Sequence, residues 1–391
     1  MKKLNQPKRL LRRVLPAVSL IAALVVTVTA LVQQISIAAE SYPAIGPLAQ
    51  RSAPKASLVK MGHRLFFEAR ISGDGAVSCA TCHDPQQGFG KQFDKDGKLK
   101  PLSDAYPGTS YFRNAPTLIN TVYKADFPDV GWGWDGHMGA NMNDVMRDQI
   151  TESAIMNMDM RIMHERMKQD KVYVEMCAEN FAKDCSSNMA RKALAAFLET
   201  LVSRDVPFDT GKMSRKAKKG QKLFEGKARC IGCHNGPYFS DGRPHNTGVP
   251  ENLEIFRDPV RHLTYRSVLA TLGVPKMEIW RRDVGYFAVS KDYADVGKFI
   301  TPTLRELNYT APYMHNGVMA TLADVVEFYD QGGGHDDPLP NELQALDLSK
   351  SEKTELLAFL QSLSSAKPVT VQAVKIPQEY ELIENWLEVE N

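Results

Sequence analysis

Apolar residues recur at helical spacing in several separate stretches of this chain, and no run of residues alternates convincingly between apolar and polar. The stretches lie at 58–66, 142–176, 190–202 and 351–363, and the second is rich in methionine. Because a spacing of three or four residues places side chains on one face of an α-helix, each stretch predicts a helix with a buried face. The pattern predicts a mainly α-helical fold.

Residues that typically begin or end helices flank these stretches. Ser186 precedes the third stretch and Pro207 follows it. Thr321 and Asp324 have the spacing of a capping pair, and they predict a further helix that ends at the glycines 332–334.

A larger pattern occurs twice. A Gly-x-x-Leu-Phe segment at 62–66 stands upstream of Cys-Ala-Thr-Cys-His at 79–83. The same order returns at 220–224 and 230–234, and a loop that combines glycine with an aromatic residue follows each time. This repetition predicts two related domains, each built around one Cys-x-x-Cys-His segment.

Length and composition fit two such domains. The chain has 391 residues, of which 43% are hydrophobic and 24% are charged. We place the domains at 57–210 and 211–366, with a basic, polar boundary segment near 208–219 and an irregular tail at 367–391. The net charge is only +2 and no phosphate-binding glycine loop is present, so the sequence does not indicate a nucleic-acid partner.

The N-terminus has the layout of an export signal. Six basic residues precede an apolar run at 14–32, and no acidic residue occurs before Glu40. Residues 1–38 are predicted to be a cleaved signal peptide or, because the run is long enough to span a bilayer, an uncleaved membrane anchor. Either arrangement predicts a periplasmic globular part, joined to the leader by a linker at 39–56.

Four of the six cysteines lie in the two Cys-x-x-Cys-His segments, which have the form of c-type haem attachment sites. Thiols three positions apart reach two vinyl groups of one porphyrin, and the following histidine binds its iron. A single zinc site and a pair of redox dithiols are the alternatives. We predict two covalent haem c groups, held by Cys79, Cys82, His83, Cys230, Cys233 and His234.

The remaining cysteines, Cys177 and Cys185, are eight positions apart. In an oxidising compartment they predict a disulfide that closes a small loop, and a reactive thiol pair is the alternative. Spacing alone leaves the second ligand of each iron open. Seven other histidines could supply it: His63, His137, His164, His245, His262, His315 and His335.

Several ordered motifs resemble those of the bacterial dihaem cytochrome c peroxidase and MauG family. They are R-N-A-P-T-L at 113–118, W-D-G at 134–136, G-R and H-N-T-G within 242–248, P-T-L-R at 302–305, T-A-P-Y-M-H-N-G at 310–317 and F-Y-D at 328–330. The resemblance implies two cytochrome c-like domains. It also implies that the His83 haem reacts with hydrogen peroxide on an open face, while the His234 haem is six-coordinate and transfers electrons.

Tyr329 stands where the resemblance places the second ligand of the His234 haem, which is methionine in the peroxidases and tyrosine in MauG. A tyrosine of the helix core is the alternative. A phenolate is a hard, anionic ligand that favours oxidised iron, so Tyr329 indicates MauG-like withdrawal of electrons from another protein. Trp134 corresponds to the family's electron-relaying tryptophan between the haems, with an apolar wedge, or relay through Trp132, as alternatives.

The resemblance also implies a calcium site formed by Asn114, Thr310 and Pro312, in which one side-chain amide and two backbone carbonyls bind the cation. Asn114 could otherwise cap a turn.

One position departs from the family. Where the family has a distal glutamate that moves a proton during O–O cleavage, this chain has Ile155. Glu152 is the nearest carboxylate and could serve instead. Another acid of the pocket, or Gln149 acting with water, could also carry the proton, and Glu152 would then be an ordinary surface residue.

Together these features predict a periplasmic dihaem oxidoreductase that reacts with hydrogen peroxide and oxidises a partner protein. A conventional peroxidase supplied by a small cytochrome or cupredoxin is one alternative. A dihaem electron carrier without enzymatic activity is the other.

Overall fold

The computed structural model describes residues 42–90, 93–94, 96–98, 100–103, 106–139, 141–334 and 341–376. The predicted leader at 1–38, His335 and the last part of the predicted tail, 377–391, lie outside these residues. Within the described ranges, no helix is both long enough and apolar enough to cross a membrane. Both predicted domains fall within one compact unit, and we call 57–210 its N-terminal half and 211–366 its C-terminal half.

Helices dominate the N-terminal half, as the apolar spacing predicts. They are α1 (Ala56–Phe66), α2 (Cys79–Cys82), α3 (Met142–Thr151), α4 (Met160–Gln169), α5 (Lys171–Phe181) and α6 (Ser187–Leu198). The methionine-rich stretch at 142–176 is therefore helical but divided into three helices.

Helices also dominate the C-terminal half. They are α7 (Arg215–Glu225), α8 (Glu254–Arg257), α9 (Pro259–Thr271), α10 (Phe287–Ser290), α11 (Leu322–Asp330) and α12 (Lys350–Gln361). Two short antiparallel strands, β1 (Pro244–His245) and β2 (Phe299–Ile300), form the sheet of the described residues.

Capping side chains set the predicted helix starts. Ser186 caps α6 through its side chain, and Thr321 forms a capping box with Asp324 at α11. However, α6 ends at Leu198, before the predicted end at 202. The apolar spacing continues further because Leu201 packs into the core from the turn that follows the helix.

The repeated Gly-x-x-Leu-Phe segments form equivalent helix crossings. In the N-terminal half α1 packs against α6, and a Cβ on Gly62 would lie 1.9 Å from the carbonyl oxygen of Ala193. In the C-terminal half α7 packs against α12, and a Cβ on Gly220 would lie 1.9 Å from the carbonyl oxygen of Glu355. Each glycine is therefore required because two helix backbones touch at that point.

The two crossings belong to separate apolar cores. Residues of α1, α3 and α6 form the core of the N-terminal half, and residues of α7, α11 and α12 form that of the C-terminal half. The predicted boundary segment is not a solvent-exposed linker throughout. Phe208 packs edge-on against Phe239 and Phe359 of the C-terminal core, and α7 already begins at Arg215.

A third apolar core, within 255–296 and joined by Phe112, was not predicted. Its main helix, α9, begins with Asp258 as the capping residue and Pro259 at the first position, which is a recognisable start signal. The apolar spacing of α9 is obscured because Val260 and Leu263 are exposed on its outer surface.

Two smaller expectations concern the disulfide and the tail. The predicted disulfide is confirmed, because the Cys177 and Cys185 sulfurs are 2.00 Å apart. The described part of the tail has no regular secondary structure, as predicted, but Val369 and Val371 pack against the N-terminal core.

Candidate functional site

The first Cys-x-x-Cys-His segment is held so that its histidine can bind a metal. Cys79 and Cys82 are the first and last residues of α2, and His83 follows as the C-cap. The Nδ1 atom of His83 lies 2.8 Å from the carbonyl oxygen of Phe89 and must donate to it, which leaves the Nε2 lone pair available. Burial lowers the pKa of His83, so its ring is neutral, as a ligand requires.

The second segment repeats this arrangement. The Nδ1 atom of His234 lies 3.0 Å from the carbonyl oxygen of Phe239, and burial again lowers the pKa of the histidine. Phe89 and Phe239 both adopt the left-handed region, with φ of 58° and 57°. The same backbone turn thus holds each histidine ring.

The thiols fit haem attachment better than the two alternatives. Burial, together with the neighbouring thiol, raises the pKa of Cys79 and of Cys230 to about 12, whereas reactive dithiols need a lowered pKa. The two pairs also lie against different cores, Cys79 against the N-terminal and Cys230 against the C-terminal one, so they do not close on one zinc ion.

A mainly apolar cavity of about 310 Å³ opens beside the first segment. Cys79, Cys82 and His83 line one part of it, and side chains of α3 and α6 line another. It reaches the C-terminal half, where Tyr238 and Arg305 contribute to its wall. An apolar crevice that ends at two thiols and a free imidazole nitrogen fits a covalently bound haem.

Both tryptophans considered for electron relay line this cavity. Trp134 donates from Nε1 to the carbonyl oxygen of Asn114 over 2.9 Å, and Trp132 pairs through its backbone with Met138. Because the cavity joins the first segment to the loop after the second, Trp134 lies in the region between the two sites.

Helices α3 and α11 occupy corresponding places in the two halves. The capping residues Asn141 and Thr321 each accept a hydrogen bond from the amide three residues later. Gln149 lies eight residues after Asn141, and Tyr329 lies eight residues after Thr321. Gln149 and Tyr329 are therefore equivalent positions on equivalent helices.

Tyr329 faces the second haem segment. Burial raises the pKa of its phenol, and the nearby thiols of Cys230 and Cys233 raise it further. Thr247, just beyond β1, hydrogen-bonds the tyrosine side chain. The phenol is therefore held close to the thiols that would anchor the porphyrin.

Gln149 lines the cavity of the first segment, and its Nε2 atom lies 3.0 Å from the Met138 sulfur. Ile155 also lines the cavity, but Glu152 is not among the described residues of its wall. The Glu152 carboxylate is instead turned towards the Ser153 hydroxyl and the Ala154 amide. The structure thus places Gln149, rather than Glu152, beside the first haem site.

A buried charge cluster joins the two halves behind this cavity. Arg113 binds Asp283 through two hydrogen bonds of 2.6 and 2.8 Å and pairs with Asp135 at 2.7 Å. Asp135 also binds Nδ1 of His137 at 2.5 Å. Sequence reasoning missed Asp283, since a contact across 170 positions leaves no local signal. It also left His137 as one of seven open histidines.

The predicted calcium ligands lie together. The Asn114 amide is 2.7 Å from the Pro312 carbonyl oxygen, and Thr310 lines the same cavity. The amide nitrogen faces that carbonyl, so binding a cation requires the amide to turn its oxygen inwards. The calcium site stays a prediction.

These features define a class of protein: a mainly α-helical c-type cytochrome with two haem sites of unequal surroundings. The family model described as di-haem cytochrome c peroxidase matches residues 56–219. This chain is 46% identical over 87% of its length to cytochrome-c peroxidase IdrP2 of Denitromonas iodatirespirans, covering 90% of that protein. It is 30% identical over 82% of its length to the methylamine utilization protein MauG of Methylorubrum extorquens, covering 81% of it.

Solved structures agree with this assignment at the level of the fold. A MauG-like protein associated with microbial copper homeostasis has a TM-score of 0.64 at 23% identity, covering 85% of this chain and 97% of that one. The dihaem peroxidase BthA of Burkholderia thailandensis has a TM-score of 0.61 at 22% identity, covering 83% and 90%. The chain belongs to the dihaem cytochrome c peroxidase and MauG family, a family of haem c oxidoreductases.

Proposed function

We propose that this protein is an exported, MauG-like dihaem peroxidase. It reacts with hydrogen peroxide at the His83 haem and withdraws electrons from a partner protein through the His234 haem, with Tyr329 as the second ligand of that haem. The observation that carries the proposal is the contrast between Gln149 and Tyr329 at equivalent helix positions. A neutral amide at this position would leave the iron of one haem accessible to peroxide, whereas a phenol oxygen would close the iron of the other.

The chain supplies the surroundings in which the haems act. The haem pair supplies the redox chemistry, and the apolar cavity wall excludes bulk water from the peroxide site. Trp134 lies between the sites and is held by its hydrogen bond to the Asn114 carbonyl, which suits a side chain that relays electrons in a fixed orientation.

The test compares Tyr329→Phe with wild type, using Tyr293→Phe as a matched control because Tyr293 is an exposed tyrosine of the third core region. Spectra are recorded before and after one equivalent of peroxide. We expect one high-spin and one low-spin ferric haem in wild type and in the control, followed by a long-lived oxidised state. Tyr329→Phe should abolish that state, because the ligand that stabilises oxidised iron is gone.

An unchanged lifetime and spectrum in Tyr329→Phe would show that Tyr329 is not the ligand. A conventional peroxidase is the second candidate, favoured by the higher identity to proteins named cytochrome-c peroxidase. Rapid turnover of peroxide with a reduced small cytochrome c, and no long-lived oxidised state, would support that candidate instead.

A further inference from the structure

The peroxide site needs a group that moves protons, and its wall lacks the usual one. None of the described residues that line the cavity is an aspartate or a glutamate. Breaking the O–O bond of hydrogen peroxide requires a proton to reach the leaving oxygen, which a positioned acid–base group provides. Gln149 lines the cavity but does not titrate, so it can orient a hydrogen bond without supplying a proton.

His137 has the geometry of such a group. It lines the cavity, and about 13% of its side-chain surface is accessible. Its Nδ1 atom is held by the buried Asp135 at 2.5 Å. Its Nε2 atom has no hydrogen-bond partner among the residues that the structure describes. A histidine anchored at one nitrogen by a buried carboxylate presents the other nitrogen in a defined tautomer and direction.

We propose that His137 is the acid–base residue of the peroxide site, moving a proton through Nε2 in place of the glutamate that Ile155 replaces. This inference rests on the proposed function, since it assigns the proton transfer for that reaction.

The charges around His137 favour the protonated form of its ring. Burial disfavours the charged imidazole, but the carboxylate of Asp135 and its hydrogen bond outweigh this effect, so the pKa of His137 is raised. Arg113, packed from the neighbouring segment, acts in the opposite direction, and Glu152 at the end of α3 adds to the raising effect. A raised pKa means that His137 keeps a proton available to donate up to a higher pH than an ordinary histidine does.

The protons of the step balance at His137. Protonated His137 gives its Nε2 proton to the outer oxygen of hydrogen peroxide as the O–O bond breaks, and that oxygen leaves as water with two protons. The vacated Nε2 then takes the proton of the inner oxygen, so His137 ends as it began. The bound haem pair would supply the two electrons.

Two other carboxylates that lie close to Ile155 in the sequence are placed for different roles. Glu152 is bound to the Ser153 hydroxyl at the end of α3. Asp159 caps α4 and pairs with the exposed Arg161. Neither is among the described residues of the cavity wall.

The experiment uses the haem-loaded protein and the variants His137→Gln, Glu152→Gln, Asp159→Asn and His164→Gln. The last is a control because the His164 side chain is 34% exposed on α4. Haem content and disulfide formation confirm that each variant is folded. Stopped-flow mixing gives the peroxide rate constant against pH. Fluoride is bound to the ferric His83 haem, because the charge-transfer band of this complex reports hydrogen bonds donated to the bound anion.

We expect His137→Gln to lower the peroxide rate constant about 100-fold. In wild type the rate should fall as pH rises through the His137 pKa, and this dependence should disappear in the variant. The fluoride band should also shift in His137→Gln but not in His164→Gln.

Several outcomes would overturn the proposal. One is a peroxide rate within about twofold of wild type in His137→Gln; another is a 100-fold loss in Glu152→Gln or Asp159→Asn without one in His137→Gln. A change from low-spin to high-spin iron in His137→Gln would show that His137 is an iron ligand instead. If wild type fails to react with peroxide but the fluoride band still depends on His137, the placement stands and the proposed function fails.

Discussion

The two halves of the molecule are alike where they hold a haem and differ where they meet its reactants. Each uses a glycine at a helix crossing and a left-handed phenylalanine whose carbonyl orients a histidine. Asn120 and Glu306 share a left-handed backbone, with φ of 65° and 66°, and bind Ser203 and Ser365 respectively. The repeated part is backbone geometry, which holds the cofactor without setting its chemistry.

The differences are side chains on that common frame. Gln149 in one half corresponds to Tyr329 in the other. The charge cluster of Arg113, Asp135 and Asp283 lies behind the cavity of the N-terminal site. Under the proposed function, one scaffold carries an open site and a closed site because the distal residue differs between the halves.

Among the features that differ between the halves, the charge cluster should be the one whose disruption destabilises the protein most. Arg113→Met leaves two buried carboxylates without their partner, and we expect a loss of about 3–5 kcal/mol in the free energy of unfolding. Urea unfolding followed by haem absorbance measures it. Arg147→Met is the control, because Arg147 forms exposed pairs and should cost less than about 1 kcal/mol. Similar losses in both variants would contradict the role given to the buried cluster.

Substituting the glycine at either of the two helix crossings should destabilise the protein by a similar amount. Gly62→Ala and Gly220→Ala each place a Cβ against a backbone carbonyl and should each cost about 1–3 kcal/mol of unfolding free energy. Gly46→Ala is the control, since a Cβ there meets no atom within 4 Å. If calorimetry shows that only one of the two variants is destabilised, the halves do not share this feature.

Acid should lower the free energy of unfolding by less than either kind of substitution does. Burial acts to raise the pKa of Asp135 and Asp283, but Arg113 outweighs it and lowers both below their ordinary value. The unfolded chain therefore binds protons first, so stability is present above that value and is lost as pH falls. At pH 4 the two groups together should cost about 0.6 kcal/mol relative to pH 7.

Urea unfolding at pH 7 and pH 4 measures this loss, and Asp283→Asn should show a smaller one because it lacks one of the two groups. Equal losses in wild type and Asp283→Asn would place the acid-sensitive groups elsewhere.

The sequence by itself determined the helices, the disulfide of Cys177 and Cys185, and the two haem segments. These follow from short-range rules: apolar spacing, capping residues and a five-residue attachment motif. It also indicated Tyr329 and Gln149, because motif order along the chain preserved their places.

Only the tertiary structure decided which side chains share a cavity. It turned Glu152 away from that cavity, brought His137 to its wall, and paired Arg113 with Asp283 across 170 positions. The reason is physical: a side chain's direction at a helix end, and a partner distant in sequence, depend on packing between elements, which no local pattern encodes.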